Sequence, residues 1–210
     1  MRGIRYLFFF LGLLFFGLGN AMAVKVQYLG LHPWEVLNVA LYERYGLSIG
    51  TWSVFCGLML VLLSLIIDRR YINIGTFLNA LLIGPIMDFF LWLHILPQAT
   101  NTWTDYVIIL TAIIITGIGG GLYVAAGIGA GPRDGFMLSI ADKTGLSVSR
   151  ARIVVESLVL LIGFGLGGPV FIVTFIYTFI QSPVFQYALM LFRRLLAPLG
   201  QKEAGQSAAL

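Results

Sequence analysis

The sequence predicts an all-α integral membrane protein: six membrane-spanning helices in two inverted three-helix repeats, each with one extra short helix, and both termini inside. Three observations predict it. The 210 residues are 59% hydrophobic and 10% charged, with a mean hydropathy of +0.95, whereas soluble domains average roughly a quarter charged residues. The apolar residues gather in runs of about twenty, the length that crosses a hydrocarbon core about 30 Å thick. Gly, Pro and acidic landmarks of the first half return in the second at a nearly constant offset.

The first run covers 4–26. It follows Met1-Arg-Gly-Ile-Arg5 and reaches Ala21-Met22-Ala23, a pattern shared with secretory signal peptides. The repeat needs this run as its first span, so the expectation is a retained helix. A short segment opened by Pro33 follows at 33–45, then spans at 49–67, 72–95 and 106–126. Pro132 opens a second short segment at 132–144. The last spans are 152–166, which is short and begins with charge, and 170–192. As helices the two short segments are about 20 Å long, too short to cross. No alternating ten-residue pattern of a barrel is visible. The expectation is a single transmembrane domain over 1–200 and a disordered cytoplasmic tail over 201–210.

Lys and Arg placement sets the orientation. With the N-terminus inside, only Lys25 and Arg44 of the 13 basic residues lie outside. The formal charge of +4 forms no basic stripe, since residues such as Arg69, Arg70, Arg193 and Arg194 sit at segment ends, so no nucleic-acid partner is expected. The expected partners are the lipid bilayer and a small solute; a homo-oligomer stays open.

The repeat aligns about 4–95 with about 105–193. Gly17-Leu-Gly19 matches Gly117-Ile-Gly119, and Pro33-Trp-Glu35 matches Pro132-Arg-Asp134. Gly46-Leu-Ser48 matches Gly145-Leu-Ser147, and Gly84-Pro85 matches Ser182-Pro183. The offset is 99 from Pro33 to Pro132 and 98 from Pro85 to Pro183. Three crossings per unit is an odd number, so the second unit must be inserted upside down. The charge count, made without the repeat, requires the same.

Inverted repeats with interrupted helices are a common plan of secondary transporters, whose sites lie near the midplane. Pro33 and Pro132 fit a helix first turn, where a missing N–H costs nothing. A helix N-terminus carries about half a positive charge and free N–H groups. Two such ends meeting from opposite faces would build a solute site from Pro33, Trp34, Glu35, Gly131, Pro132, Arg133 and Asp134. Arg133 would clamp an anion, and Asp134 would orient the solute or take a proton. The alternative stays open: both segments lie flat as interfacial helices, Arg133 is a topology anchor, and the acids complement helix dipoles.

Asp88, its repeat counterpart Gln186, and Glu156 are candidates for ion or proton coupling. A carboxylate inside a bilayer costs about 2.5–3.5 kcal/mol and normally faces a cavity or a partner. Asp88 also reads as a group near the outer interface, and Glu156 as an i, i+4 pair with Arg152. Gly117, Gly121, Gly163 and Gly167 at four-residue spacing predict close helix packing. His32 and His94 are isolated and Cys56 sits in an apolar run, so neither a metal nor a cofactor is expected.

Gly17-Leu-Gly19, His32-Pro33-Trp34-Glu35, Ser48-Ile49-Gly50, Ile74-Gly75-Thr76 and above all Gly129-Ala-Gly131-Pro-Arg-Asp134 resemble the YczE/YitT group of bacterial membrane proteins. The resemblance covers nearly the whole chain. It is nearer the YczE branch, because the soluble C-terminal domain typical of YitT proteins is missing. It implies a bacterial multi-pass protein of the cytoplasmic (inner) membrane and assigns no substrate. The function expected from the residues is a secondary transporter for a small anionic or zwitterionic solute rather than an enzyme. The alternatives are a membrane subunit that captures solute for a separate ATP-driven engine, or a channel. A site of this kind predicts that Arg133→Ala and Asp134→Asn abolish transport without unfolding the protein.

Overall fold

The computed structural model of the chain describes residues 2–207. Eight α-helices are present among them: α1 (Arg2–Lys25), α2 (Pro33–Tyr45), α3 (Ile49–Ile67), α4 (Ile74–Trp92), α5 (Thr104–Ala125), α6 (Pro132–Thr144), α7 (Val148–Gly165) and α8 (Ile172–Ser207). No strand occurs among the described residues.

The helix ends follow local chemistry. Ser48 caps α3 by accepting the Thr51 N–H at 3.0 Å, and Ser147 caps α7 by accepting that of Arg150 at 3.4 Å. Each hydroxyl takes up one of the N–H groups that a helix start leaves without a partner. Pro33 and Pro132 occupy the first turns of α2 and α6. Gly46 and Gly145 end those helices at positive φ, 77° and 70°, a conformation glycine adopts without a Cβ clash.

Helices α1 and α5 form the centre and cross antiparallel. A Cβ on Gly12 would lie 2.4 Å from the Tyr123 nitrogen, and one on Gly19 2.8 Å from the Thr116 nitrogen. Higher positions on α1 therefore meet lower positions on α5. Helix α4 packs on α1, and α8 packs on α5. The short helices are exchanged between the halves: α2 packs on α7, and α6 packs on α3. Helices α3 and α4 are pressed together where Gly50 meets Gly84, whereas α7 and α8 barely touch. Of the four glycines expected to permit close packing, Gly117, Gly121 and Gly163 do so. Gly167 instead makes a positive-φ turn after α7, with no neighbouring atom within 4 Å of a Cβ.

Five helices are long and apolar enough to cross a membrane: Gly3–Lys25, Ile49–Ile67, Ile74–Trp92, Thr104–Ala125 and Ile172–Ala197. This is a multi-pass membrane protein, one span short of the six expected by this measure. Helix α7 has the length, 18 residues, but carries Arg150, Arg152 and Glu156. Helix α8 is described as far as Ser207; of the expected tail over 201–210, residues 208–210 lie outside the described residues.

Neither short helix lies flat on the surface. Pro33 through Ala40 of α2 are all buried, as are Pro132, Gly135, Met137, Ser139 and Ala141 of α6. The far end of α6 is clasped to the α3–α4 connection. The Tyr71 hydroxyl donates to Asp142 at 2.5 Å, and Arg70 donates to Asp68 through Nε at 3.0 Å and Nη2 at 2.6 Å.

The Asp68–Arg70 pair makes a pH prediction. Arg70 holds the Asp68 carboxyl below its ordinary range, chiefly through the side-chain hydrogen bond. A group with a depressed folded-state pKa contributes stability above its unfolded pKa and loses it as pH falls through the folded value. The melting temperature should therefore decline more steeply on acidification in the wild type than in Asp68→Asn. At neutral pH the variant should melt slightly lower, because the Arg70 side chain is solvent-exposed and the pair is screened.

Candidate functional site

The first turns of α2 and α6 meet inside the bundle. Arg133 Nη2 donates to Glu35 Oε1 at 2.9 Å, joining two residues 98 apart in sequence and at the starts of different helices. Glu35 is only 1% exposed. A carboxylate buried to that degree needs a counter-charge and hydrogen-bond donors. Asn38, one turn further along α2, donates to its Oε2 at 2.9 Å, and Asn20 of α1 lies 3.4 Å from its Oε1. The Arg133 guanidinium also lies over the Trp34 ring, 5.2 Å from its centroid, a cation–π contact that fixes the side chain from a second direction.

A second ion pair sits beside the first. Arg152 of α7 donates to Asp134 Oδ1 at 3.0 Å, and the Tyr123 hydroxyl of α5 is 3.5 Å from the other carboxylate oxygen. The sequence pairs Arg152 with Glu156 one turn along; the structure instead sends Arg152 across to α6. Glu156 then faces His32, the residue before Pro33, with Oε1 at 3.7 Å from Nε2. The His32 ring packs edge-on against Tyr177 of α8, centroids 5.5 Å apart.

These groups line one cavity of about 280 Å³, at the small end of solute-binding pockets. Of the residues picked out from sequence, Trp34, Glu35, Gly131, Pro132, Arg133, Asp134, Glu156 and Gln186 line it. Pro33 is buried and opens α2 without joining the lining. Asp88 lies elsewhere: it accepts from the Ser48 hydroxyl and, at 2.9 Å, from the Gly50 N–H. Its carboxylate thus caps α3, where the helix dipole favours negative charge, instead of facing the cavity. Polar cavity residues that went unrecognised in the sequence include Asn20, Asn79, Tyr123, Tyr177 and Gln181, and His32 was set aside there as isolated. The asparagines carried a signal, since each interrupts an apolar run and polar residues inside spans usually face partners. No group of three or more His, Cys, Asp or Glu poised for a metal occurs among the described residues.

Residues 3–189 match DUF6198, a family of unknown function. The chain belongs to this family. Among curated relatives, an uncharacterized membrane protein of Bacillus subtilis, YczE, is 34% identical over 187 residues, 89% of this chain and 86% of the relative. An uncharacterized protein of Haemophilus influenzae is 33% identical over 92% of this chain and 86% of its own length. A second Bacillus subtilis protein, YyaS, is 23% identical over 80% of this chain and 83% of its own. The resemblance to the YczE group seen in the glycine and proline motifs therefore holds across most of the chain. No solved structure matches. Membership in DUF6198 comes with no substrate.

Proposed function

We propose that the protein is a secondary transporter of the bacterial cytoplasmic membrane, carrying a small zwitterionic or anionic solute through the cavity between α2 and α6. The observation that carries this reading is the junction of the two short helices: Arg133 on Glu35 and Arg152 on Asp134, around a central cavity. Each guanidinium already holds a carboxylate. A simple anion would displace one carboxylate and leave it uncompensated in a low-dielectric site. A zwitterion supplies an anion to an arginine and a cation to the released carboxylate. The geometry therefore favours the zwitterion.

The plan proposed is six crossings in two inverted repeats, with re-entrant α2 and α6 and both termini in the cytoplasm. Helix α7 is the sixth crossing. Arg152 and Glu156 turn into the cavity, while Ile153, Leu158, Leu161, Ile162 and Phe164 form an exposed apolar face suited to lipid. Reciprocal contacts support the inversion. Gly19 lies against Thr116, and Gly119 against Phe16, pairs exchanged by a shift of 100 residues. Gly30 likewise lies against Thr174, and Gly129 against Gly75 and Thr76.

The test is uptake of a radiolabelled mixture of protein amino acids by liposomes containing the purified protein. Saturable uptake, accelerated by unlabelled mixture inside, is expected. Asp134→Asn should lower it about tenfold or more, the worth of one charge-assisted hydrogen bond. Binding without uptake would favour a capture subunit, and non-saturating flux a channel.

A further inference from the structure

We propose that the facing side chains of His32 and Glu156 form a proton-binding site in the cavity wall, and that the coupling ion of the transporter is H⁺. The proposal rests on the transport reading for its purpose but not for its chemistry. Glu156 Oε1 is 3.7 Å from His32 Nε2, and the side chains are only 12% and 14% exposed. The other imidazole nitrogen, Nδ1, is buried and has no hydrogen-bond partner among the described residues. The pair therefore has a free position for a proton and lies on the wall of the cavity that would deliver it.

Charge balance points the same way. Lining the same cavity are Glu35 from α2, Arg133 and Asp134 from α6, Arg152 from α7, Tyr123 from α5 and Tyr177 from α8, the last packed on the His32 ring. Glu35 and Asp134 are each held by one arginine; no guanidinium among the described residues lies within ion-pair distance of Glu156. With His32 neutral, three carboxylates face two guanidiniums, and the cavity carries one negative charge in surroundings that solvate charge poorly. One proton, shared between the imidazole and the Glu156 carboxylate, brings the cavity to neutrality. A zwitterionic solute adds no net charge, so the proton alone decides whether the cavity is charged while it reorients across the bilayer. The proton leaves hydronium in bulk water on one side, forms an N–H or O–H bond in the pair, and returns to water on the other side as that bond breaks; no other covalent bond changes.

The experiment has two arms. In the first, the purified protein in lipid nanodiscs, without solute, is titrated over about pH 5 to 8, where histidine ordinarily changes charge, while the carboxylic-acid C=O stretch is followed by infrared difference spectroscopy. A carboxyl band that grows on acidification, vanishes in Glu156→Gln and shifts its midpoint by about one pH unit or more in His32→Gln is the expected result. In the second, liposomes take up the labelled amino-acid mixture with and without an inward proton gradient. The stimulation by the gradient should fall to unity in both variants. A band unchanged in Glu156→Gln, or a midpoint unmoved in His32→Gln, overturns the assignment. The first arm needs no solute. If wild-type liposomes take up none of the mixture, the zwitterion-transport reading fails while the proton site still stands or falls on the band.

Discussion

Arg133→Ala should destabilise the protein by about 3 to 5 kcal/mol, because it strands Glu35 as an uncompensated charge in the interior. Glu35 is 1% exposed, and its remaining donors, Asn38 and Asn20, are neutral amides. The lower end of that range is therefore expected. Glu35→Gln should cost less, since the Arg133 side chain is 22% exposed toward the cavity and keeps its place over Trp34. The double variant Glu35→Gln with Arg133→Gln should lose clearly less than the sum of the two, with a coupling of about 1 to 3 kcal/mol. Reversible unfolding in mixed micelles, followed by circular dichroism, measures all three. Strict additivity would show that the 2.9 Å contact carries no energy. The sequence-based expectation that Arg133→Ala abolishes transport and leaves folding intact is thereby revised, because the residue proposed to bind the solute also joins the starts of the two short helices.

The second large effect is steric. A Cβ on Gly119 would lie 2.4 Å from the backbone nitrogen of Phe16 and 2.8 Å from the carbonyl oxygen of Gly12. Both obstacles are backbone, so no rotamer change relieves the clash, and α1 and α5 must move apart along the centre of the molecule. Gly119→Ala should cost about 1 to 3 kcal/mol as an overpacked contact, and Gly119→Leu more. Helix propensity opposes this by about 1 kcal/mol, since alanine favours a helix over glycine. Gly165→Ala, where a Cβ meets nothing within 4 Å, is the control and should be neutral or mildly stabilising. Melting temperatures in one detergent rank the three. A Gly119→Ala protein as stable as the control would mean that α1 and α5 are farther apart than described.

Much of the fold was legible because membrane helices announce themselves locally. The segments 33–45, 49–67 and 132–144 match their helices residue for residue, since proline, serine caps and glycine stops mark their ends. Helix α7 was read too short at its start, at 152 instead of 148, because the charged Arg150 reads as loop before an apolar run; Ser147 was the available signal. Its charges also keep it out of the strictly apolar spans. The meeting of Glu35 with Arg133 was legible as a possibility of the repeat, through paired prolines each followed by an acid. The choice between buried and flat short helices was not, because it depends on what α7 and α3 offer them. Arg152 was misassigned for the same reason. The i, i+4 neighbour Glu156 is visible in sequence, whereas Asp134 becomes a partner only once α6 is folded against α7. His32 was set aside as isolated, and isolation in sequence says nothing about who faces it across a cavity.

The clasp between α3 and α4 has a consequence for energy balance. Ser48 and the Gly50 N–H hold the Asp88 carboxylate, and the backbones touch at Gly50 and Gly84. On the proposed inverted plan the matching groups are Ser147 near the start of α7 and Gln186 on α8, two helices that barely touch. An amide at a helix N-terminus lacks the charge that makes a carboxylate a strong cap there. The α3–α4 side is therefore latched and the α7–α8 side is not, and a molecule alternating as proposed would spend unequal times in its two halves of the cycle. Placing a carboxylate at Gln186, or an amide at Asp88, would act as a weight moved along a balance.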